Sequence, residues 1–261
     1  MNEITISSFG DLVEKLFAKS WNPKIGRFRS PYVFRGLCDE NYKLQTSLMR
    51  LGGNYAKIEK PLLRNFIKYA HRDVAQQDSI WHWLSVAEHH SLPTRLLDWT
   101  HSPLIAAHFA TCNIEKYNRN GAIWCVDFIA THKLLPQKLK ALLKKENALE
   151  LNTEILSKAL KSLHEFDALS STDFVAFFEP PSLDDRIRNQ YALFSVISNP
   201  EALLDDWLKK HPSLYRKIVI PASLKWEIRD KLDKANITER VLFPGLDGLS
   251  SWLKRYYTPR M

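Results

Sequence analysis

Apolar positions repeat every three to four residues in the first third of the chain and alternate more closely in the second half. The first pattern marks amphipathic helices and the second marks strands. Phe9, Leu12, Val13, Leu16 and Phe17 share one face of a helix predicted over 8–20. Tyr32-Val33-Phe34 is a short strand that ends at Gly36. Ile58, Leu62, Phe66 and Tyr69 place a helix over 55–77, and a second follows over 79–90, with Ser79 as its cap. Pro93 blocks continuation, so 91–100 reads as an ordered loop. Ser102-Pro103 is a helix start signal, and the body Leu104–Ala110 is small or apolar on most sides, as a buried helix requires.

Strands are predicted at 121–128, 174–178, 192–197 and 216–220, with a last short one at Arg240–Phe243. Helices are predicted at 200–210, 222–235 and 248–257, the last capped by Asp247, with a turn at 184–189. Residues 133–165 are rich in Lys, Leu and Glu, read as mainly helical, and resemble an insertion between strands. With no repeat and no long linker, the expectation is an α+β fold: one domain spanning 1–261, with a helical first half and a mixed sheet.

Composition narrows the function classes. The 261 residues are 45% hydrophobic and 25% charged, an ordinary globular balance. No apolar run approaches the roughly 20 residues of a membrane helix. The N-terminus lacks the pattern of a secretory leader, and three scattered cysteines fit neither a disulfide framework nor a zinc site, so a cytoplasmic location is expected. The net charge of +8 favours anionic partners, either nucleotides or a macromolecule such as nucleic acid or an acidic protein.

Common catalytic and phosphate-binding motifs are absent: no Gly-x-Gly-x-x-Gly turn, no Gly-x-x-x-x-Gly-Lys loop, no His-Glu-x-x-His pair and no Gly-x-Ser-x-Gly elbow. His82, His89, His90, His101 and His108 cluster in sequence, yet none pair at i, i+4, and no metal is expected. Two stretches stand out, Tyr32–Gly36 and His89–Thr100. Arg35, following a strand, presents a planar fork suited to phosphate or carboxylate, with an ion pair to Asp98 as the alternative. Gly36 allows a turn or a close approach. Asp98 could orient Arg35 or Arg95, or accept a substrate hydroxyl, and Trp99 offers either a stacking face or a core ring.

Four blocks carry a family resemblance. They are Tyr32–Gly36; Ala87–Thr100 running into Ser102–Ala110; Arg186–Gln190 with Phe194; and Leu242–Gly248. Together they resemble the FRG-domain family, named for its Phe-Arg-Gly motif, with a core of about 30–253. The family often has Gln at position 88, Gly at 91 and Gln-Gly at 191–192, where this chain has Glu88, Ser91 and Tyr191-Ala192. The block order is also similar to that of ADP-ribosyltransferases of the Arg-Ser-Glu type, and this implies a related fold with NAD as substrate. On that similarity Arg35 grips the NAD diphosphate or ribose. Thr100 or Ser102 supports the nicotinamide ribose, and a late acid, Glu239 or Asp247, stabilises the oxocarbenium-like transition state. Phe34, Gly36, His90, Thr94, Arg95, Trp99 and Gln190 are the further binding residues, and Asp98 joins Arg35 and Glu239 as a catalytic candidate. The implied role is an NAD-consuming effector, a toxin or phage-defence protein. The alternatives are a non-enzymatic nucleotide- or nucleic-acid-binding module, and a hydrolase pairing Asp98 with His89, His90 or His101.

Overall fold

The computed structural model describes residues 2–70 and 78–260. The strands are β1 (Glu3–Thr5), β2 (Trp21–Asn22), β3 (Arg27–Phe28), β4 (Tyr32–Leu37), β5 (Leu97–Thr100), β6 (Gly121–Asp127), β7 (Leu151–Asn152), β8 (Val175–Glu179), β9 (Ala192–Ile197) and β10 (Tyr215–Ile220). The helices are α1 (Phe9–Phe17), α2 (Tyr55–Ala70), α3 (Ile80–His89), α4 (Pro103–Thr111), α5 (Phe128–His132), α6 (Gln137–Lys145), α7 (Thr153–Ala159), α8 (Leu163–Asp167), α9 (Asp185–Asn189), α10 (Leu204–Lys209), α11 (Lys225–Lys234), α12 (Glu239–Leu242) and α13 (Leu246–Tyr256). The helix predicted over 55–77 is α2 as far as Ala70, and its remainder lies outside the described residues.

Eight strands form one mixed sheet, ordered β1-β10-β6-β4-β5-β9-β8-β7, and β2 and β3 make a separate hairpin. Pairing is antiparallel throughout the interior and parallel only at the edges, β1 on β10 and β7 on β8. The architecture is therefore α+β. Among the described residues no helix is long and apolar enough to cross a membrane.

The sheet has one thin seam. β4 pairs with β6 from Tyr32 to Leu37, and β5 pairs with β9 along its whole length. Between β4 and β5 the only register pair is Phe34 with Thr100. Two apolar clusters flank this seam. In one, Phe34, Ile123 and Ile218 pack with Leu12, Leu16, Ala106, Ala110 and Ile228 of α1, α4 and α11. In the other, Phe178, Phe194 and Val196 pack with Trp81, Leu84, Leu139, Leu143 and Leu156. A third cluster, with Trp99, Trp124, Phe177 and Trp207, includes the alternate strand residues, as a period of two requires.

Glycine seats α4 against the sheet. A Cβ on Gly36 would overlap the backbone carbonyl of Ala106, and one on Gly121 would crowd the Ala110 carbonyl. Glycine in β4 and β6, facing the alanines of α4, lets the helix lie directly on the strands.

Three sequence expectations need correction. The loop read over 91–100 ends in β5, because buried Leu97 and Trp99 alternate with exposed Asp98 over too few residues to signal a strand. The strand expected at Arg240–Phe243 is α12: this short apolar run fits either period, and its packing on α13 selects the helix. The 133–165 segment is mainly helical, as expected, with α6 and α7 on either side of the two-residue β7, and its Leu139, Leu143 and Leu156 are core. Asp247 lies inside the first turn of α13, whose cap is Gly245 at φ 105°.

Candidate functional site

Two adjoining cavities share Asp98 of β5, and one of them opens at the β4–β5 seam. One, of about 190 Å³, is lined by Phe34, Arg35, Gly36, Asp98, Trp99, Thr100, Phe109, Arg186, Gln190 and Ala192. The other, of about 230 Å³, is lined by Ser47, Glu88, His89, Ser91, Leu92, Asp98, Arg186, Ile187, Gln190, Ala192 and Phe194. Asp98, Arg186, Gln190 and Ala192 border both.

Arg35 spans the seam. Its Nη1 donates to the backbone carbonyl of Asp98 at 2.5 Å and lies 3.8 Å from Asp98 Oδ2. A side chain thus bonds a strand carbonyl where backbone pairing is sparse. The guanidinium is 18% exposed, while the Asp98 carboxyl is 61% exposed. Burial pushes the proton affinity of Arg35 below its ordinary value, and the carboxylates of Asp98 and Glu88 oppose that. Its buried Nε makes no hydrogen bond.

Another wall comes from α9 and the segment after it. Asp184 caps α9 through the Ile187 amide, and its other oxygen lies 2.8 Å from His89 Nε2. Arg186 Nη1 reaches the His89 carbonyl at 3.5 Å, and its guanidinium lies 5.0 Å from the centre of the Phe243 ring. Gln190 joins three elements. Its backbone carbonyl accepts from Thr100 Oγ1 at 2.7 Å, and its Nε2 donates to the Leu242 carbonyl at 2.9 Å.

Glu88 is the residue that sequence reasoning left out of the site. It sits near the end of α3, where its carboxylate accepts a short hydrogen bond from Thr94 Oγ1. Burial, reinforced by the charge of Asp98, pushes its pKa up to about 8, against the pull of Thr94, Arg35 and Arg186. A carboxyl titrating near neutrality in a cleft is suited to holding or accepting a proton. In the sequence it was visible only within the second motif block. Arg186 was likewise visible only as part of a motif block.

The end of α3 shapes this wall. The Ser91 amide donates to the Glu88 carbonyl and the Leu92 amide to the Ala87 carbonyl, closing the helix with Ser91 at φ 62°. Glycine would adopt that left-handed conformation without strain.

Other sequence candidates fall elsewhere or are already engaged. Phe34 is fully buried core, and Gly36 serves the approach of α4 besides bordering the cavity. Thr94 holds Glu88 and accepts from the Leu96 amide. Arg95 points away from the cleft and pairs with Glu59 at 2.5 and 2.7 Å and with Asp167 at 2.5 Å, only 4% exposed. Trp99 is core, with its indole N–H on Ser195 Oγ at 2.8 Å. Thr100 Oγ1 accepts from the Ser102 amide as well as donating to Gln190, so it braces the start of α4. Ser102 is the cap position of α4 but makes no side-chain capping bond. His90 is exposed at the end of α3, its ring edge-on to His89. Glu239 lines neither cavity and stands in a two-bond pair with Arg255 at 2.6 and 2.8 Å. Burial alone would raise its pKa, but Arg255 outweighs burial and holds it below the usual range. It is a structural anion rather than the late acid that the ADP-ribosyltransferase similarity called for.

Comparison with known proteins gives one match: residues 30–119 fit the family model of the FRG domain. The matched span contributes Arg35, Glu88, Asp98 and Thr100, whereas Arg186 and Gln190 lie beyond it and join it through the bonds just described. No curated protein and no solved structure matches the chain, so the ADP-ribosyltransferase similarity has no counterpart among them.

Proposed function

We propose, from the premise that residues 30–119 are an FRG domain, that the seam cleft binds a nucleotide and cleaves the N-ribosyl bond of NAD. One observation carries this reading: two guanidiniums, Arg35 and Arg186, and two carboxyls, Glu88 and Asp98, border the same pair of adjoining cavities. Arginine forks match phosphate oxygens, and a carboxylate stabilises positive charge developing on a ribose.

The roles divide by environment. Arg35 and Arg186 take the diphosphate. Asp98, the more exposed carboxyl, faces the ribose carbon as its bond to the nicotinamide nitrogen breaks. The bonding electron pair goes to that nitrogen, and nicotinamide leaves neutral, with no proton required. Water or a nucleophile on a target macromolecule then bonds to the ribose carbon and loses its proton to Glu88 in its ionised form. Gln190 offers its side-chain carbonyl to a ribose hydroxyl. An effector role, as a toxin or in phage defence, would follow from depletion of NAD or modification of a target.

The test is nicotinamide release from NAD by the purified full chain, followed chromatographically. The expected result is turnover that rises with pH through about 8 and falls at least about 100-fold in Glu88→Gln. Absence of nicotinamide release at every pH refutes the cleavage step. A second reading, nucleotide binding without chemistry, is favoured by the engagement of the cleft hydroxyl of Thr100 in a protein hydrogen bond. It predicts binding of NAD or ADP-ribose with no product.

A further inference from the structure

A second group of chemically active side chains lies outside the cleft. His101 follows β5, Glu150 precedes β7 and Glu179 ends β8. Their donor atoms all lie within 4.8 Å of one another, with His101 Nε2 3.3 Å from Glu150 Oε2. Three well-separated stretches of sequence thus converge at one point, which explains why no ligand spacing was visible along the chain.

The positions are fixed by backbone. The His101 amide donates to the Tyr191 carbonyl at 3.1 Å, and its ring stands edge-on to Phe128 at 5.9 Å. Glu179 pairs in register with Asn152, two residues beyond Glu150. His132, which packs on the other side chain that His101 touches, Phe128, has both nitrogens engaged, with the Leu149 carbonyl and the Phe177 amide. It is therefore not available as a ligand.

Two features call for a cation. Glu150 Oε2 is buried and receives no hydrogen bond. Glu179 brings a second carboxylate to within 4.8 Å of it.

We propose that His101, Glu150 and Glu179 bind a divalent first-row transition ion of the Zn²⁺ or Mn²⁺ class. One imidazole and two carboxylates form a borderline-to-hard donor set suited to these ions. Ligand bonds of about 2.0–2.2 Å place neighbouring donors roughly 3–4 Å apart, so only small side-chain adjustments close the site. Three protein ligands leave positions for water. The ion ties the 133–165 segment, through Glu150, to the strand that carries Asp98 and Thr100. This inference does not rest on the NAD reading.

The experiment uses the full chain, stripped with a chelator and titrated with Zn²⁺ or Mn²⁺ by calorimetry and thermal unfolding. The expected result is one ion per chain and a Tm increase of roughly 5 °C at a hundredfold excess over Kd. Glu150→Gln and Glu179→Gln keep the side-chain shapes and are each expected to weaken binding about tenfold or more, with circular dichroism unchanged. No binding of either ion by the folded wild type overturns the proposal. So does unchanged affinity and stoichiometry in the Glu150→Gln/Glu179→Gln double variant.

Discussion

Replacing Glu88 with Gln tests whether the cleft holds a carboxyl that resists ionisation. The pKa of about 8 compares with an ordinary 4.5. Between those values the folded protein retains a proton that the unfolded chain has lost. Stability attached to that proton is full below 4.5 and is lost as pH rises toward 8. At 1.36 kcal/mol per pH unit the whole interval corresponds to about 5 kcal/mol, an upper limit. Both cavities admit water, and Arg35 and Arg186 can move toward an ionised Glu88, so about 2–3 kcal/mol is expected. Gln keeps an oxygen for Thr94 Oγ1 but cannot ionise. Urea unfolding of both proteins from pH 5 to 8.5 should give similar stabilities at pH 5. At pH 8.5 the Gln variant should be the more stable by about 2–3 kcal/mol. Curves that run parallel across this range, or a Gln variant weaker at pH 8.5, would refute the assignment of Glu88 as a largely protonated residue at neutral pH.

Three other substitutions probe the scaffold. Gly36→Ala drives a methyl into the Ala106 carbonyl, and denaturant titration should show a loss of at least about 3 kcal/mol or failure to fold. Arg95→Met leaves Glu59 buried without its partner, at an expected cost of about 3–5 kcal/mol, while the double variant with Glu59→Leu should recover most of it. Ser91→Gly relieves a left-handed residue at the end of α3 and should raise stability by about 0.5–1 kcal/mol, read as a small Tm increase.

Much of this structure could be read along the chain where segments were long and strongly patterned. The α4 start at Ser102-Pro103, the buried strand β6 and the strands β8, β9 and β10 all lie close to where periodicity placed them. What failed was short. β5 has four residues and β7 two, and both exist because neighbouring strands supply their hydrogen bonds. α12 was misread for the same reason, since its apolar run carries no period of its own.

The site was legible in part. Arg35 and Asp98 stood out because charges beside core residues require an explanation, and the structure brings them together. Arg95 carried the same signal and became a structural pair, because only the fold decides which side of β5 an adjacent charge reaches. Glu88 drew little notice, since its raised pKa depends on burial and on Asp98, neither of which is a local property. His101, Glu150 and Glu179 were invisible as a group, being joined only through sheet order.

Binding of ADP-ribose to the full chain, measured by calorimetry, tests the cleft most directly, since it needs no turnover. Arg186→Ala removes a cleft guanidinium whose protein contacts are a long bond to the His89 carbonyl and the face of Phe243, so the fold should persist. The account predicts binding by the wild type, at least about tenfold weaker in Arg186→Ala and weaker still with Arg35→Lys added. A folded wild type that binds neither ADP-ribose nor NAD, or one that binds them as tightly without Arg186, would contradict it.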